Sequence, residues 1–216
     1  DQCITMVDGK MMCVCGGKAV GMEGHTCTKV AFLPWNGSSA SGHFYLTGDV
    51  TRTSTLYVGE NSTFSLDLNG HDLIIHNPEE GDVRAFQMIY ANSVCNLTDS
   101  VGGGEIKRTG KMGISGAYAF LNNASATFNQ FGGIVDASGV TSTWLGGPAV
   151  LFYAGSTYNM YGGEIIGGTS AGECNGGVVY MGSSGATFTM YGGTVRGGKA
   201  YNGGNFYLAS GTKLYV

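Results

Sequence analysis

Apolar positions along this chain come in short runs of four to six residues, β-branched or aromatic, bordered by glycine, and they alternate with polar positions. A period of two predicts strands whose side chains point to opposite faces. The shortness of the runs and their glycine borders exclude a helical reading.

The runs recur. Thr127-Phe128-Asn129-Gln130-Phe131-Gly132-Gly133-Ile134-Val135 returns as Thr157-Tyr158-Asn159-Met160-Tyr161-Gly162-Gly163-Glu164-Ile165 and as Thr187-Phe188-Thr189-Met190-Tyr191-Gly192-Gly193-Thr194-Val195, 30 residues apart each time. A worn copy ends at Gly103-Gly104-Glu105-Ile106, Phe64-Ser65-Leu66-Asp67-Leu68-Asn69-Gly70-His71 fits as the first, and Lys213-Leu214-Tyr215-Val216 begins another. A second motif lies between these copies: Leu151-Phe152-Tyr153-Ala154, Val178-Val179-Tyr180-Met181 and Asn205-Phe206-Tyr207-Leu208. Weaker relatives span 86–90 and 118–121.

A unit of about 30 residues made of strands and corners cannot bury its own apolar face; stacking such units in parallel does. The expected fold is therefore all-β, a right-handed parallel β-helix of about six coils spaced ~4.8 Å apart. Alternation predicts that Phe152, Val179 and Phe206 face inward, with Ala154, Met181 and Leu208. It also turns inward Phe128, Tyr158 and Phe188, with Met160 and Met190, although Gln130 fits that column poorly. Two outer ladders are expected, Tyr153–Tyr180–Tyr207 and Phe131–Tyr161–Tyr191.

Composition narrows the class. Glycine makes up 39 of 216 residues, and only 12% are charged, about half the usual ~25%. Collagen, coiled coil and charge-rich disorder are excluded. A net charge of −4 gives no electrostatic case for nucleic acid, and no apolar run approaches a membrane span. Six cysteines in a chain rich in serine, threonine and asparagine point to an extracellular, cell-surface location. Sequons at Asn36, Asn61, Asn96 and Asn123 permit glycosylation in a eukaryote.

The phrases Tyr45-Leu46-Thr47-Gly48-Asp49-Val50 and Leu66-Asp67-Leu68-Asn69-Gly70-His71, with the repeated Tyr-Gly-Gly, resemble the pectate-lyase-like superfamily. More narrowly, they are similar to repeat-containing surface proteins of gut and rumen bacteria. The resemblance covers residues 43–216 and implies a fold that hosts lyases, hydrolases, adhesins and structural rods alike.

Residues 1–42 do not repeat and are read as a small cysteine-rich cap on the first coil, with 32–35 as its apolar plug. Cys13, Cys15, His25 and Cys27 supply four ligands that suit a structural zinc. Similar proteins in this family carry a Cys-x-Cys-Gly with later histidines, which favours metal. The secreted context favours disulfides instead, and both readings stay open here. Cys95 and Cys174 fall in different coils and are expected as buried free thiols.

A catalytic reading finds little. Glu105, Ile134, Glu164 and Thr194 share a column, which separates the two glutamates by roughly 9.6 Å, marginal for an inverting hydrolase. Lys107 and Asp136 read as a ladder salt bridge. The stretch 77–82 is an acidic turn that calcium would suit less well than solvent, and His71 and His76 read as structural. These features argue against an enzyme. The expected function is a non-enzymatic structural or adhesive rod. Leu214, Tyr215 and Val216 stop inside a strand, which suggests head-to-tail stacking into a filament. The alternative is a carbohydrate-binding module, or a polysaccharide lyase or hydrolase, with glycan partners stacked on the outer aromatic ladders.

Overall fold

A computed structural model describes residues 32–77, 83–110, 118–144 and 146–216, together with the backbone of the strands Ile4–Val7, Lys10–Cys13 and Lys18–Ala19. These three early strands pair as an antiparallel meander. The described residues from Leu33 onward form a parallel β-solenoid, with no helix among them.

Three parallel sheets form the walls, of eight, six and five strands. The first complete coil runs through Thr63–Asp67, Leu73–Asn77 and Phe86–Met88; the last runs through Thr187–Met190, Thr194–Arg196 and Phe206–Leu208. There are five complete coils, one fewer than the repeat count suggested. Ahead of them, Gly42–Tyr45 and Val50–Arg52 pair normally, but the third wall is reduced to a single bridge between Tyr57 and Gln87.

The eight-stranded sheet follows the 30-residue period as expected. Phe64, Cys95, Phe128, Tyr158, Phe188 and Leu214 form one inward column. Its rings stack tightly, Phe128 on Tyr158 at 4.7 Å and Tyr158 on Phe188 at 4.8 Å. Each such buried side chain contributes on the order of 1.5–3 kcal/mol. Phe86 and Phe152 reach across from the five-stranded sheet to meet these rings edge-on. Trp35 closes the first coil, packed on Phe64 at 5.4 Å with the Arg52 guanidinium over its ring. Leu33, expected beside it in the plug, is exposed.

Gln130 is fully buried in the neighbouring inward column, with Leu66, Leu97, Met160 and Met190. Its Oε1 accepts the Tyr158 hydroxyl at 2.7 Å, and its Nε2 donates to the carbonyls of Gly133 and Glu164. A buried amide is tolerable when its hydrogen-bonding groups are engaged.

The outward neighbours in the same strands form a polar ladder. Asn159 donates to Asn129, Asn129 to Asn96 and Asn96 to the Ser65 hydroxyl, at 2.9–3.0 Å. Ser65 meets His43 Nδ1 at 2.9 Å.

The Tyr-Gly-Gly phrases are corners. Their second glycines, Gly133, Gly163 and Gly193, all have positive φ. A Cβ on Gly163 would lie 2.4 Å from the Gly133 carbonyl oxygen, so coil-to-coil contact as well as φ demands glycine here.

The five-stranded sheet corrects the expected frame. Val150, Val179 and Phe206 share a column, as do Leu151, Tyr180 and Tyr207, and Phe152, Met181 and Leu208. The copy at 151–154 had been aligned two residues late. A two-residue slip preserves the face, so Phe152 still points inward. Tyr153, however, lies beyond the strand end, and Ala154 sits in a turn with φ of 58° rather than in the core.

Candidate functional site

The two expected aromatic ladders differ in kind. Phe131, Tyr161 and Tyr191 stack at 4.9 and 4.8 Å with planes within 6°. Phe131 has no exposed surface, while Tyr191 is exposed. Burial, and then neighbouring Tyr191, push the Tyr161 hydroxyl up to about 12. Rings stacked face to face along the solenoid offer solvent their edges. The faces of Phe131 and Tyr161, where a sugar would stack, are closed within the stack, whereas Tyr191, its last ring, has a stacked ring on one face only and is 66% exposed.

The second ladder is broken. Tyr180 and Tyr207 stack at 5.1 Å with planes 8° apart, but the third position in their column is Leu151, not Tyr153. Leu151 points outward and yet has no exposed surface. Aromatic side chains gather around that break. Tyr153 meets Phe120 edge-on at 5.7 Å and lies against Trp144 at 6.2 Å and 28°. Trp144, in the turn after the strand Thr141–Ser142, is 43% exposed. The Arg84 guanidinium covers Phe120 at 4.6 Å and donates to Gln87 at 3.2 Å. Burial raises the pKa of both Tyr153 and Tyr180 above the ordinary tyrosine range, and for Tyr180 the nearby Tyr153 and Tyr207 add to the effect.

An outer aromatic cluster thus covers the five-stranded sheet across several coils: Phe120, Trp144, Tyr153, Tyr180 and Tyr207, over Leu151. Repeat analysis found three of these residues and missed Trp144 and Phe120. Trp144 lies in an irregular turn whose counterpart in the next coil carries Glu173 instead of an aromatic residue, so periodicity carried no signal for it.

The carboxylates are otherwise occupied. The column of Glu105, Ile134, Glu164 and Thr194 is present, and it extends back to Asp72 and Asp49, which the sequence comparison had missed. Asp49 Oδ1 accepts the backbone N–H of Asp72, and Asp72 Oδ1 accepts that of Glu105. Lys107 Nζ pairs with Asp72 at 2.5 Å rather than with Asp136, and Glu105 stands 3.9 Å away. Both carboxylates lie one coil from Lys107, but Asp136, its register partner, turns its Oδ1 to the Ser138 N–H. Glu164 is bonded to Arg196. These groups fasten one coil to the next.

The remaining expected sites divide. Cys15, His25 and Cys27 lie outside the described residues, and Cys13 ends a strand of which only the backbone is described. Among the described residues, no cluster of three His, Cys, Asp or Glu side chains is arranged to hold a metal. Cys95 and Cys174 are free; Cys95 is buried, which raises its thiol pKa well above the ordinary range, but Cys174 is only half-buried. His71 stands 3.8 Å from Asp49, and His76 bonds Thr109 at 3.1 Å. The acidic turn lies outside the described residues from 78 to 82. Of the sequon asparagines, Asn36 and Asn61 are exposed and Asn123 is half-buried, but Asn96 is 2% exposed with its amide committed to the ladder. A glycan has no room there. Leu214 is partly buried against the core, and Tyr215 and Val216 are exposed.

Compared with protein-family models, curated proteins and solved structures, the chain matches none. The functional reading therefore rests on the geometry of the aromatic cluster. No described helix is long and apolar enough to cross a membrane.

Proposed function

We propose that this chain is a non-enzymatic, extracellular adhesive β-helix that holds carbohydrate on the aromatic cluster around Trp144. One observation carries the reading. Trp144 leans on Tyr153 at a tilt and is 43% exposed in the midst of other rings, whereas Phe131 and Tyr161 are closed within their own stack. An exposed aromatic face, electron-rich at its centre, suits the C–H face of a sugar. Phenolic hydroxyls on Tyr153, Tyr180 and Tyr207 supply donors and acceptors.

The sequence resemblance to surface proteins of gut and rumen bacteria supports this setting, as does the absence of charge that an acid-sugar enzyme concentrates in its groove. Head-to-tail association belongs to the same proposal. Coils join by repeated translation, and the same step can join two chains into a longer rod. Negative-stain electron microscopy tests it: uniform fibres are expected, and isolated short particles at high concentration would remove the filament element.

The carbohydrate reading is tested by a glycan array probed with the full chain and with Trp144→Ala. Retention on a defined set of glycans is expected, weakened at least tenfold by the substitution while the circular dichroism spectrum is unchanged. An array on which nothing is retained would overturn the reading.

A further inference from the structure

We infer that the ligand of this surface is an uncharged glycan, extended along the solenoid axis. The inference rests on the carbohydrate reading above and adds the chemical class and the direction of the chain.

The direction follows from register. Gln87, Phe120, Leu151, Tyr180 and Tyr207 occupy one outward column, one residue per coil. Successive coils are ~4.8 Å apart, so the column runs about 19 Å along the axis. Trp144 and Tyr153 stand beside its middle. Across the axis, the sheet is only three residues wide at Val150–Phe152 and at Val179–Met181. A chain of several sugar units finds aromatic and amide side chains along the column, with Tyr153 and Trp144 beside the buried Leu151 where the column itself is interrupted.

The class follows from charge. None of the five strands Phe86–Met88, Ala119–Leu121, Val150–Phe152, Val179–Met181 and Phe206–Leu208 carries an acidic or basic residue. Arg84 stands at one end, and its guanidinium is engaged with Phe120 and Gln87. Glu173 stands two residues before Asn175, as Trp144 stands two before Gly146, the bridge partner of Asn175. The coil after Trp144 thus brings a negative charge to that side and the coil after it an exposed cation, Lys199, bridged to Thr169; the two offset each other, so no net positive charge is there to recruit a polyuronate. What the surface offers instead is neutral: tyrosine hydroxyls, the Gln87 amide, and the Asn175–Asn202 amide pair joined at 2.9 Å. A tyrosine hydroxyl keeps its proton at neutral pH, so Tyr153 and Tyr180 can both donate and accept there.

The experiment is affinity electrophoresis of the full chain in gels containing β-glucan, xylan, mannan or polygalacturonate, followed by calorimetry with oligosaccharides of increasing length. Expected are retardation by at least one neutral polymer but not by polygalacturonate, little change in 0.5 M salt, and affinity that rises at least tenfold from disaccharide to hexasaccharide. Trp144→Ala should abolish retardation, whereas Tyr191→Ala, in the other ladder, should not. Salt-sensitive retardation by polygalacturonate alone would overturn the uncharged class while leaving a carbohydrate-binding function in place. Equal affinity for every length would overturn the axial direction. No retardation in any gel, with no binding on the array, would overturn the carbohydrate reading itself.

Discussion

The Tyr158 hydroxyl donates to Gln130 Oε1 across 2.7 Å inside the core, where both side chains are essentially without exposed surface. Tyr158 lies one coil beyond Gln130 and shares its column with Phe128 and Phe188, so the one polar ring in that stretch stands where the buried amide needs a donor. Tyr158→Phe leaves the amide oxygen without that partner and should cost about 1–3 kcal/mol. Adding Gln130→Met, the residue found in the next two coils at that position, should recover most of the loss. Denaturant unfolding of the single and double variants checks this. A single variant as stable as the wild type would show that the bond is not used.

Ala154 holds φ of 58° in a corner turn where other coils place positive φ on Asn61, Asn92, Gly185 or Gly211. Ala154→Gly should raise stability by about 0.5–1 kcal/mol, because it relieves the left-handed strain on Cβ. Ala149→Gly, at a buried position without that strain, should lower it. Equal effects of the two substitutions in thermal unfolding would refute the assignment.

The Tyr161 hydroxyl ionises near pH 12 in the fold, against about 10 for a free tyrosine. Below pH 10 both folded and unfolded chains keep the proton. Between 10 and 12 the unfolded chain loses it first, so stability falls with rising pH through that window and levels above it. Tyr161→Phe should flatten its share of the decline. Unfolding curves collected at pH 9, 10, 11 and 12 that are parallel for wild type and variant would contradict the prediction.

His43 is tied to the asparagine ladder through Ser65, whose hydroxyl accepts from Asn96 and shares a hydrogen bond with His43 Nδ1. Burial lowers the His43 pKa, so the stability it contributes is present above about 6.5 and is lost as pH falls through the folded value. An NMR titration of the imidazole should place its midpoint below about 6.5. A midpoint at or above that value would break this account.

Much of the scaffold was legible because two periods, two residues within a strand and 30 between strands, fix both face and neighbour. Phe128, Tyr158 and Phe188 needed no further information. The candidate site was legible only in part. Leu151-Phe152-Tyr153 and Val150-Leu151-Phe152 alternate equally well, and only the pairing of Val150 with Val179 decides between them. That choice replaced Tyr153 with Leu151 in the ladder and opened the break beside which Trp144 sits. Asp49 and Asp72 were missed because the early coils differ in length, which hides their register with Glu105. Lys107 was assigned to the wrong carboxylate because column membership does not tell a side chain which way along the axis to lean.

The asparagine ladder has one more consequence. Every amide in it donates the same way, from Asn159 down to Ser65, so the side-chain dipoles add instead of cancelling. Sheets ordinarily carry little net dipole. Here a column of aligned amides, each N–H pointing to the coil before it, gives the solenoid axis an electrical sense, positive towards the earlier coils and negative towards the later ones. Two such columns brought end to end attract in one orientation and repel in the other.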